Sequence, residues 1–354
     1  MYDHPGRGTS RNPANRYETL HVEPDEVDQV ADGADGRDAE PTRFYRDASR
    51  SVLAESASPD VGFRFSLNPY RGCEHGCTYC YARPSHEHLG FSAGLDFERR
   101  IMVKDDAPAL LRATLCSRRW RPEVVALSGN TDCYQPVERR LRLTRRCIEV
   151  FLEFRNPVEV VTKSALVARD ADLFAALAEH DAARVRCSIT TLDPELARRL
   201  EPRAASPQRR LDAMRALTAA GVPVGVMVAP VIPGLNDAEI PRILAAAAAA
   251  GARSAGWTLL RLARPLDELF TAWLAEHYPD RRARVLNRIR ETRDGRLSDA
   301  RFGRRMRGAG VYAEQIATLF ALASRTHGLD RPLPPLSTTA FRRPPLVGEQ
   351  MRLL

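Results

Sequence analysis

The stretch Asn68-Pro-Tyr-Arg-Gly-Cys-Glu-His-Gly-Cys-Thr-Tyr-Cys-Tyr-Ala-Arg83 contains three cysteines, Cys73, Cys77 and Cys80, in a C-x3-C-x2-C spacing. Three thiolates on so short a loop can converge on one metal centre. Closed structural zinc sites and ordinary iron–sulfur clusters take four protein ligands. The stretch therefore predicts a metal centre that keeps one coordination position open for chemistry.

The cysteine spacing, with the aromatic residue Tyr79 before the third cysteine, resembles the radical S-adenosylmethionine (SAM) superfamily. The flanking segments 68–73 and 79–86 are similar to its branch called spore-photoproduct-lyase-like or DNA repair photolyase, and most closely to a bacterial subgroup of undefined substrate. The resemblance runs from about Ser66 into the C-terminal part of the chain. It implies a [4Fe–4S] cluster on the three cysteines, with SAM bound to the fourth iron. Reduction would cleave SAM to a 5′-deoxyadenosyl radical that abstracts hydrogen from a substrate.

Composition limits the class of protein. The 354 residues suffice for one large domain or two ordinary ones, and 44% are apolar. No run of apolar residues is long enough for a membrane span, and the N-terminus lacks a signal-peptide pattern. The remaining cysteines are scattered in a chain too large to need disulfides, which indicates a reducing compartment. In such a compartment the short cysteine cluster favours metal or catalytic chemistry. We therefore expect a cytoplasmic protein without a membrane partner.

The charge is uneven along the chain. The net charge is +8, yet residues 1–50 carry 7 arginines against 11 acidic residues, whereas residues 265–354 carry 16 arginines against 10. A basic C-terminal third could approach a polyanion such as nucleic acid. An arginine-rich composition throughout the chain is the alternative explanation.

Short apolar segments alternate with helical patterns, which predicts an α/β fold with a parallel sheet and crossover helices. The predicted strands are Phe63–Leu67, Val124–Leu127, Val158–Thr162, Arg184–Thr191, Pro223–Ala229 and Trp257–Leu262. The predicted helices between and after them include Ala107–Cys116, Glu138–Phe154, Asp170–His180, Leu192–Leu200, Pro207–Ala220, an Ala-rich helix capped by Asn236, Leu266–His277, Asp280–Thr292 and Gln315–Thr326. Six such units form the partial (β/α)6 TIM-type barrel that the resemblance also implies.

Three regions follow from this pattern. Residues 1–50 are polar and charged, which predicts a disordered or loosely packed N-terminal tail. Residues 51–263 would form the radical SAM barrel, and residues 264–354 a helical C-terminal extension with a Pro-rich end.

The resemblance and the strand ends together predict a SAM site. Its predicted residues are Tyr79, Ser128, Thr131, Asp132, Lys163, Ser188, Thr190 and Ala229. By resemblance, the Tyr79 ring lies against the adenine, Lys163 neutralises the SAM carboxylate, and Ser188 bonds the ribose. Chemistry in such barrels occurs at the C-terminal ends of the strands. Lys163 is notable because Lys104 is the only other lysine in the chain.

The hydrogen relay departs from that of the lyase. The lyase returns hydrogen from a cysteine whose aligned position here is Gly129, so thymine-dimer repair does not follow from the resemblance. Tyr79 and Tyr81 match its relay tyrosines, and Cys133 lies four residues after Gly129. Tyr81 and Cys133 are therefore the predicted relay residues.

Partners and alternative functions remain open. The resemblance implies a flavodoxin or ferredoxin as electron donor and an unidentified substrate, with nucleic acid as one candidate. DNA or RNA lesion repair or base modification is the first alternative, motivated by Arg261, Arg304, Arg305 and Arg307. A non-catalytic iron–sulfur or zinc sensor is the second. The pair His86 and His88 is interpreted as loop histidines, because no third ligand lies nearby in sequence.

Overall fold

The computed structural model describes residues 6–17 and 41–344. Its strands are β1 (Arg43–Arg46), β2 (Leu53–Glu55), β3 (Phe65–Leu67), β4 (Tyr70–Arg71), β5 (Arg100–Val103), β6 (Val125–Leu127), β7 (Val158–Thr162), β8 (Ala183–Ser188), β9 (Val224–Val231) and β10 (Ser254–Leu259). Its α-helices are α1 (Asp96–Arg99), α2 (Ala107–Cys116), α3 (Glu138–Leu141), α4 (Leu143–Phe154), α5 (Ala171–Ala178), α6 (Pro194–Leu200), α7 (Pro207–Ala219), α8 (Ile240–Ala249), α9 (Leu266–His277), α10 (Pro279–Glu291), α11 (Arg304–Arg307) and α12 (Val311–Thr326). Short 3-10 helices span Arg83–Leu89, Ala165–Asp170 and Asp237–Glu239.

The main sheet has seven strands in the order β10-β9-β8-β7-β6-β3-β2. The strands β3 and β6 to β10 pair in parallel, and β2 joins the edge antiparallel to β3. Each parallel connection passes through helices, as a crossover between parallel strands requires. The six parallel strands confirm the predicted α/β fold with a partial TIM-type barrel.

The register of the sheet brings polar strand ends together. Leu127 of β6 pairs with Val160 of β7, Thr162 with Cys187 of β8, and Ser188 with Met227 of β9. The strands are short and largely buried because crossover helices cover them. The residues that follow their C-terminal ends therefore share one edge of the barrel.

Several predicted helices have different bounds. The predicted helix Glu138–Phe154 is two helices, α3 and α4, because Arg142 between them adopts a left-handed conformation with φ of 52°. Asn236 does not cap α8. Its side chain instead accepts a hydrogen bond from the Ile232 N–H at 2.6 Å and donates to the Thr190 carbonyl at 2.7 Å. This asparagine ties the loop after β9 to the loop after β8.

A second sheet was not predicted from the sequence. The strands β1, β5 and β4 form it, with β1 parallel and β4 antiparallel to β5. It lies beside the cysteine loop, because β4 leads directly into Gly72 and Cys73. Its strands are two to four residues long, too short for a periodic pattern to reveal.

The two ends of the chain are described in part. Residues 18–40 of the predicted tail lie outside the described residues, whereas residues 6–17 lie against the segment 83–99. The Pro-rich C-terminal segment runs back along the barrel, where the Arg342 N–H donates to the Phe154 carbonyl at 2.9 Å. Across the described ranges, no helix is both long and apolar enough for a bilayer. The domain boundaries at residues 50 and 263 stay predictions.

Candidate functional site

The cysteine loop follows β4 and is fixed by backbone hydrogen bonds. The Cys73 N–H donates to the Phe97 carbonyl at 2.9 Å, and the Thr78 N–H donates to the Leu200 carbonyl at 3.0 Å. Gly76, between the first two cysteines, has φ of 68°, where a side chain would be strained. The loop is therefore held at both ends and turns at a glycine.

The three loop cysteines are free thiols in poorly solvated positions. Cys73 and Cys77 are buried, and Cys80 is partly buried and packs with both. Burial raises the pKa of all three thiols, and the proximity of Cys77 and Cys80 raises that of Cys73 further. Such thiols become thiolates only when positive charge enters the site, as a metal centre would supply.

A buried ion pair fixes the C-terminal end of the loop. The Arg83 guanidinium pairs with Glu98 at 2.5 Å, and neither side chain is exposed to solvent. Arg83 also donates to the carbonyls of Cys77 at 3.0 Å and Gly94 at 2.7 Å. Different N–H groups of the guanidinium make these bonds. Arg83 therefore fixes the backbone between the second and third cysteines.

The N-terminal half of the loop is fixed by the segment that follows β6. The Gln135 side-chain oxygen accepts from the Glu74 N–H at 2.9 Å, and its amide donates to the Gly72 carbonyl at 3.2 Å. The Glu74 carboxylate accepts from the Val137 N–H at 2.8 Å and pairs with Arg203 at 3.1 Å. The cysteine loop and the loop after β6 thus form one hydrogen-bonded unit.

Tyr79 lies in a buried polar network. Its hydroxyl hydrogen-bonds to Glu201 and lies 3.1 Å from the Thr190 hydroxyl. Thr190 donates to the Glu201 carboxylate at 2.6 Å and lies 3.0 Å from the Ala229 carbonyl oxygen. Glu201 also forms a buried ion pair with Arg210. Burial alone would raise the pKa of Glu201, but Arg210 and Lys163 outweigh it and lower that pKa.

This network fixes the predicted SAM-binding residues of β8 and β9 relative to the cysteine loop. Arg210 donates to the Ser188 carbonyl at 2.9 Å, so the end of β8 is tied to the same ion pair. Ser188 itself is buried. The sequence segment Glu201-Pro202 and the later Arg210 thus form an ion pair that orients the Tyr79 ring.

Lys163, at the end of β7, faces the same network with an unpaired charge. Its ammonium lies 5.7 Å from the centre of the Tyr79 ring, within the range of a cation–π contact. It contributes to lowering the pKa of Glu201 and opposes the rise in the pKa of Cys77. In the part of the chain that the structure describes, the ammonium forms no ion pair. A carboxylate ligand could bind it without displacing a protein carboxylate.

Asp132 joins the loop after β6 to the end of β7. Its carboxylate accepts from the Thr162 hydroxyl at 2.8 Å and from the N–H groups of Lys163 at 2.8 Å and Tyr134 at 2.9 Å. It also lies 3.4 Å from Nδ1 of His75 in the cysteine loop. Burial would raise the pKa of Asp132, but His75 and the hydrogen bonds lower it to about 2. Asp132 is therefore ionised and already saturated with donors from the protein.

Ser128 and Thr131 shape the same turn. Ser128 has φ of 69°, and its hydroxyl oxygen accepts from the Cys133 N–H at 2.9 Å. The Thr131 hydroxyl donates to the Tyr70 carbonyl at 2.6 Å. Thr131 has used its O–H donor and could contact SAM only as an acceptor, whereas this bond leaves Ser128 its O–H donor.

The two predicted relay residues lie in different surroundings. Cys133 is fully buried in the main hydrophobic core. Tyr81 is 49% exposed, and its hydroxyl donates to the Gly129 carbonyl at 3.0 Å. A Cβ on Gly129 would lie 2.6 Å from Cβ of Ser66, closer than side chains approach. The geometry favours Tyr81 over Cys133 as the accessible residue, while the relay role of each stays a prediction.

The arginines noted in the sequence mostly have partners within the protein, whereas neither ring nitrogen of the buried His86 has a hydrogen-bond partner among the described residues. His86 is buried between Phe91 and Phe97, while His88 stacks on Tyr17, so the two rings have different environments. Three of the arginines are held internally. Their partners are Asp294 for Arg304, Asp60 for Arg305, and the Trp257 carbonyl for Arg307.

Sequence reasoning missed the residues that hold the loop. No sequence pattern identifies the roles of the residues that hold the loop, because they contact one another across 15 or more positions. These residues are Arg83, Glu98, Glu74 and Gln135. The signal that was available for the Tyr79 network was the Glu201-Pro202 pair with Arg210 after it. His75 gave no separate signal, since it lies between two cysteines of the motif.

Comparisons with known proteins agree with this geometry. The model of the radical SAM superfamily matches residues 67–247. An uncharacterized protein of Mycobacterium tuberculosis is 38% identical over 282 residues, which cover 79% of this chain and 80% of that protein. An uncharacterized protein of Methanocaldococcus jannaschii is 29% identical over 178 residues, covering 50% of this chain and 64% of that protein.

The solved structures that resemble this fold include spore photoproduct lyase. A tyrosine-to-phenylalanine mutant of that enzyme aligns over 80% of this chain and 78% of its own, with a TM-score of 0.56 and 20% sequence identity. At this identity the alignment shows a shared fold. The family match covers the cysteine loop and the whole of four of the six parallel strands, β6 to β9. The chain therefore belongs to the radical SAM superfamily.

Proposed function

We propose that this protein is a radical SAM enzyme that binds a [4Fe–4S] cluster on Cys73, Cys77 and Cys80 and uses it to cleave SAM reductively. The observation that carries the proposal is the position of these thiols. They lie on one hydrogen-bonded loop, and Lys163, whose ammonium forms no ion pair with any described residue, acts electrostatically on Cys77. Membership of the superfamily supports catalysis of this class.

Three thiols on one loop are the ligand set that a [4Fe–4S] cluster with one open iron would take. Within residues 6–17 and 41–344, no three His, Cys, Asp or Glu side chains are arranged around one metal position. A four-iron cluster binds each thiolate through a different iron, so its ligands stand further apart than those of one zinc ion. The buried, uncharged thiols suit a group that brings its own positive charge.

When bound, the cluster and SAM supply the reductive cleavage that yields methionine and a 5′-deoxyadenosyl radical for hydrogen abstraction. The residues of the chain would bind SAM and orient it. Lys163 would neutralise the SAM carboxylate, and the Tyr79 ring, fixed by Glu201 and Thr190, would lie against the adenine. Ser188 and the Ala229 backbone flank the nucleoside. Holding the radical within contact distance of its target is the main catalytic task of such a site.

Electrons come from a flavodoxin or ferredoxin, and the substrate is unidentified. We assign the return or relay of hydrogen to Tyr81, and the exposure of about half of its side chain, directly after the third cysteine, supports this role. Asp132 acts as a positioning residue: its hydrogen bonds to Thr162 and Lys163 hold the end of β7. Cys133 lies directly behind this segment and packs in the core.

Anaerobic reconstitution with iron and sulfide tests the proposal. We expect a brown protein with about four irons per chain that releases 5′-deoxyadenosine when given SAM and dithionite. Cys77→Ala should lose the cluster and the cleavage, whereas Cys116→Ala, a thiol remote from the loop motif, should retain both. A colourless protein that binds zinc and does not cleave SAM would overturn the proposal.

A further inference from the structure

Arg261 lies where β10 ends and stacks on the ring of Tyr81. Its guanidinium carbon is 5.4 Å from the centre of that ring. Tyr81 directly follows Cys80, and its hydroxyl reaches the Gly129 carbonyl beyond the end of β6. Arg261 and Tyr81 therefore join the two sides of the barrel mouth, beside the cysteine loop. About half of the Tyr81 side chain is left open to solvent.

The guanidinium of Arg261 makes one weak hydrogen bond to a described residue. This bond goes to the sulfur of Met306 at 3.9 Å. A guanidinium has five N–H donors, and a half-buried one without acceptors is poorly stabilised. Among the described residues no carboxylate pairs with it. Its donors are therefore available to a ligand.

The charged side chains around Arg261 do not neutralise its positive charge. Asp60 is the nearest acid, but its carboxylate is engaged by an ion pair with Arg305 and by the Gly303 N–H at 2.6 Å. Burial and the neighbouring Arg305 both lower the pKa of Arg261, while Tyr81 and Asp60 only partly oppose this. Asp60 therefore neutralises Arg305 and leaves Arg261 without a carboxylate partner among the described residues.

The other arginines of this region are satisfied by the protein itself. Arg293 donates to the Leu260 carbonyl at 2.8 Å, and Arg307 donates to the Trp257 carbonyl at 2.9 Å. Arg304 pairs with Asp294 at 2.8 Å. Arg261 differs from these neighbours in having neither a carbonyl nor a carboxylate partner in the described part of the chain.

We propose that Arg261 and the Tyr81 ring form a subsite that binds an oxyanion of the substrate, a phosphate ester or a carboxylate, at the mouth of the barrel. This rests on the proposed function, because it assumes that the substrate reaches the cysteine-loop edge. An oxyanion accepts two parallel hydrogen bonds from a guanidinium. The half-exposed Tyr81 ring offers a flat surface to the rest of the ligand. Lys163 remains free for the carboxylate of SAM, so the two cations would hold two different molecules.

Arginine labelling of the as-isolated protein tests the subsite without needing the cluster. Phenylglyoxal modification is followed at each arginine by peptide mass spectrometry, with methyl phosphate, with acetate, or with sodium chloride of equal ionic strength. If the dissociation constant is about 2 mM, about 20 mM of the binding anion should slow modification of Arg261 roughly tenfold. Arg264, which is well exposed and 3.9 Å from its nearest carboxylate, is the matched control.

Each outcome decides the question. Selective protection of Arg261 by methyl phosphate or by acetate supports the subsite and indicates which oxyanion it takes. Protection should weaken in Tyr81→Leu, which removes the ring and keeps the arginine. Equal protection by chloride, equal protection of Arg264, or no protection of Arg261 would overturn the subsite. Failure of SAM cleavage in the reconstituted protein would overturn the proposed function alone, since the labelling requires neither cluster nor SAM.

Discussion

Gly8 lies against Gly76 so closely that a Cβ on Gly8 would be 1.6 Å from the Gly76 carbonyl oxygen. The Gly8 N–H also donates to the Glu98 carboxylate at 3.0 Å, and Glu98 in turn pairs with Arg83. The N-terminal segment 6–17 is thereby joined to the same buried ion pair that fixes the cysteine loop. The contact depends on two glycines facing each other without side chains.

Gly8→Ala should release the N-terminal segment. The added methyl group cannot fit against a backbone carbonyl, and overpacking of this kind costs about 1–3 kcal/mol. Trypsin cleavage after Arg11 and Arg16 should then accelerate roughly tenfold, because proteolysis follows the population of the open form. Gly62→Ala is the matched control, since a Cβ there meets no atom within 4 Å. Equal cleavage rates in Gly8→Ala and wild type would contradict the close contact.

Lys163 and Lys104 are the only lysines, which allows a footprint of SAM binding. In the reconstituted protein, SAM should slow acetylation of Lys163 by an amine-reactive ester at least about fivefold, because a carboxylate would cover its ammonium. Acetylation of Lys104 should not change. Lys163→Met should weaken SAM binding about 10- to 100-fold, as the loss of a charged hydrogen bond predicts. Unchanged SAM affinity in Lys163→Met would remove Lys163 from the site.

The parts of the fold that sequence predicted are those with local signals. The bounds of β7, Val158–Thr162, agree with the prediction residue for residue, because an apolar run between turn residues has few alternatives. The three loop cysteines are also local, since a metal motif needs ligands of fixed type at short spacing. The C-terminal strand ends followed from the alternation of strands and helices.

The remaining features depend on contacts between distant segments. Tyr79 meets Glu201 across 122 positions, and Gly8 meets Glu98 across 90. Periodicity and composition report burial along one segment and carry no information on such pairs. Residues 6–17 are held mainly by polar bonds, such as Arg16 with Glu87, and a count of apolar residues does not register these.

Asp132→Asn should remove an acid-sensitive contribution to stability. The pKa of Asp132 is about 2 against an ordinary 3.8, so its carboxylate contributes about 2 kcal/mol when ionised. The folded pKa is the lower one. This contribution is therefore complete above about pH 5 and is lost as pH falls towards 2.

Urea unfolding of the cluster-free protein measures this effect. The free energy of unfolding of the wild type should exceed that of Asp132→Asn by about 2 kcal/mol at pH 7 and by roughly half of that at pH 3. Asp105→Asn, at an exposed position, should change the free energy of unfolding by less than about 0.5 kcal/mol at either pH. A difference between wild type and Asp132→Asn that stays constant with pH would refute the assignment of the low pKa.

Gly129→Cys would place a thiol at the position that the lyase uses, but the structure has no room for it. Its Cβ would lie 2.6 Å from Cβ and 3.0 Å from Oγ of Ser66. We expect Gly129→Cys to destabilise the protein by about 1–3 kcal/mol, and Ser66→Gly to relieve about 1–2 kcal/mol of that cost in the double variant. Gly62→Cys, at an open position, should cost the same in both backgrounds. Additive effects of Gly129→Cys and Ser66→Gly in urea unfolding would show that the clash does not exist. Coupled effects would show that Ser66 sets the stability cost of a cysteine at position 129.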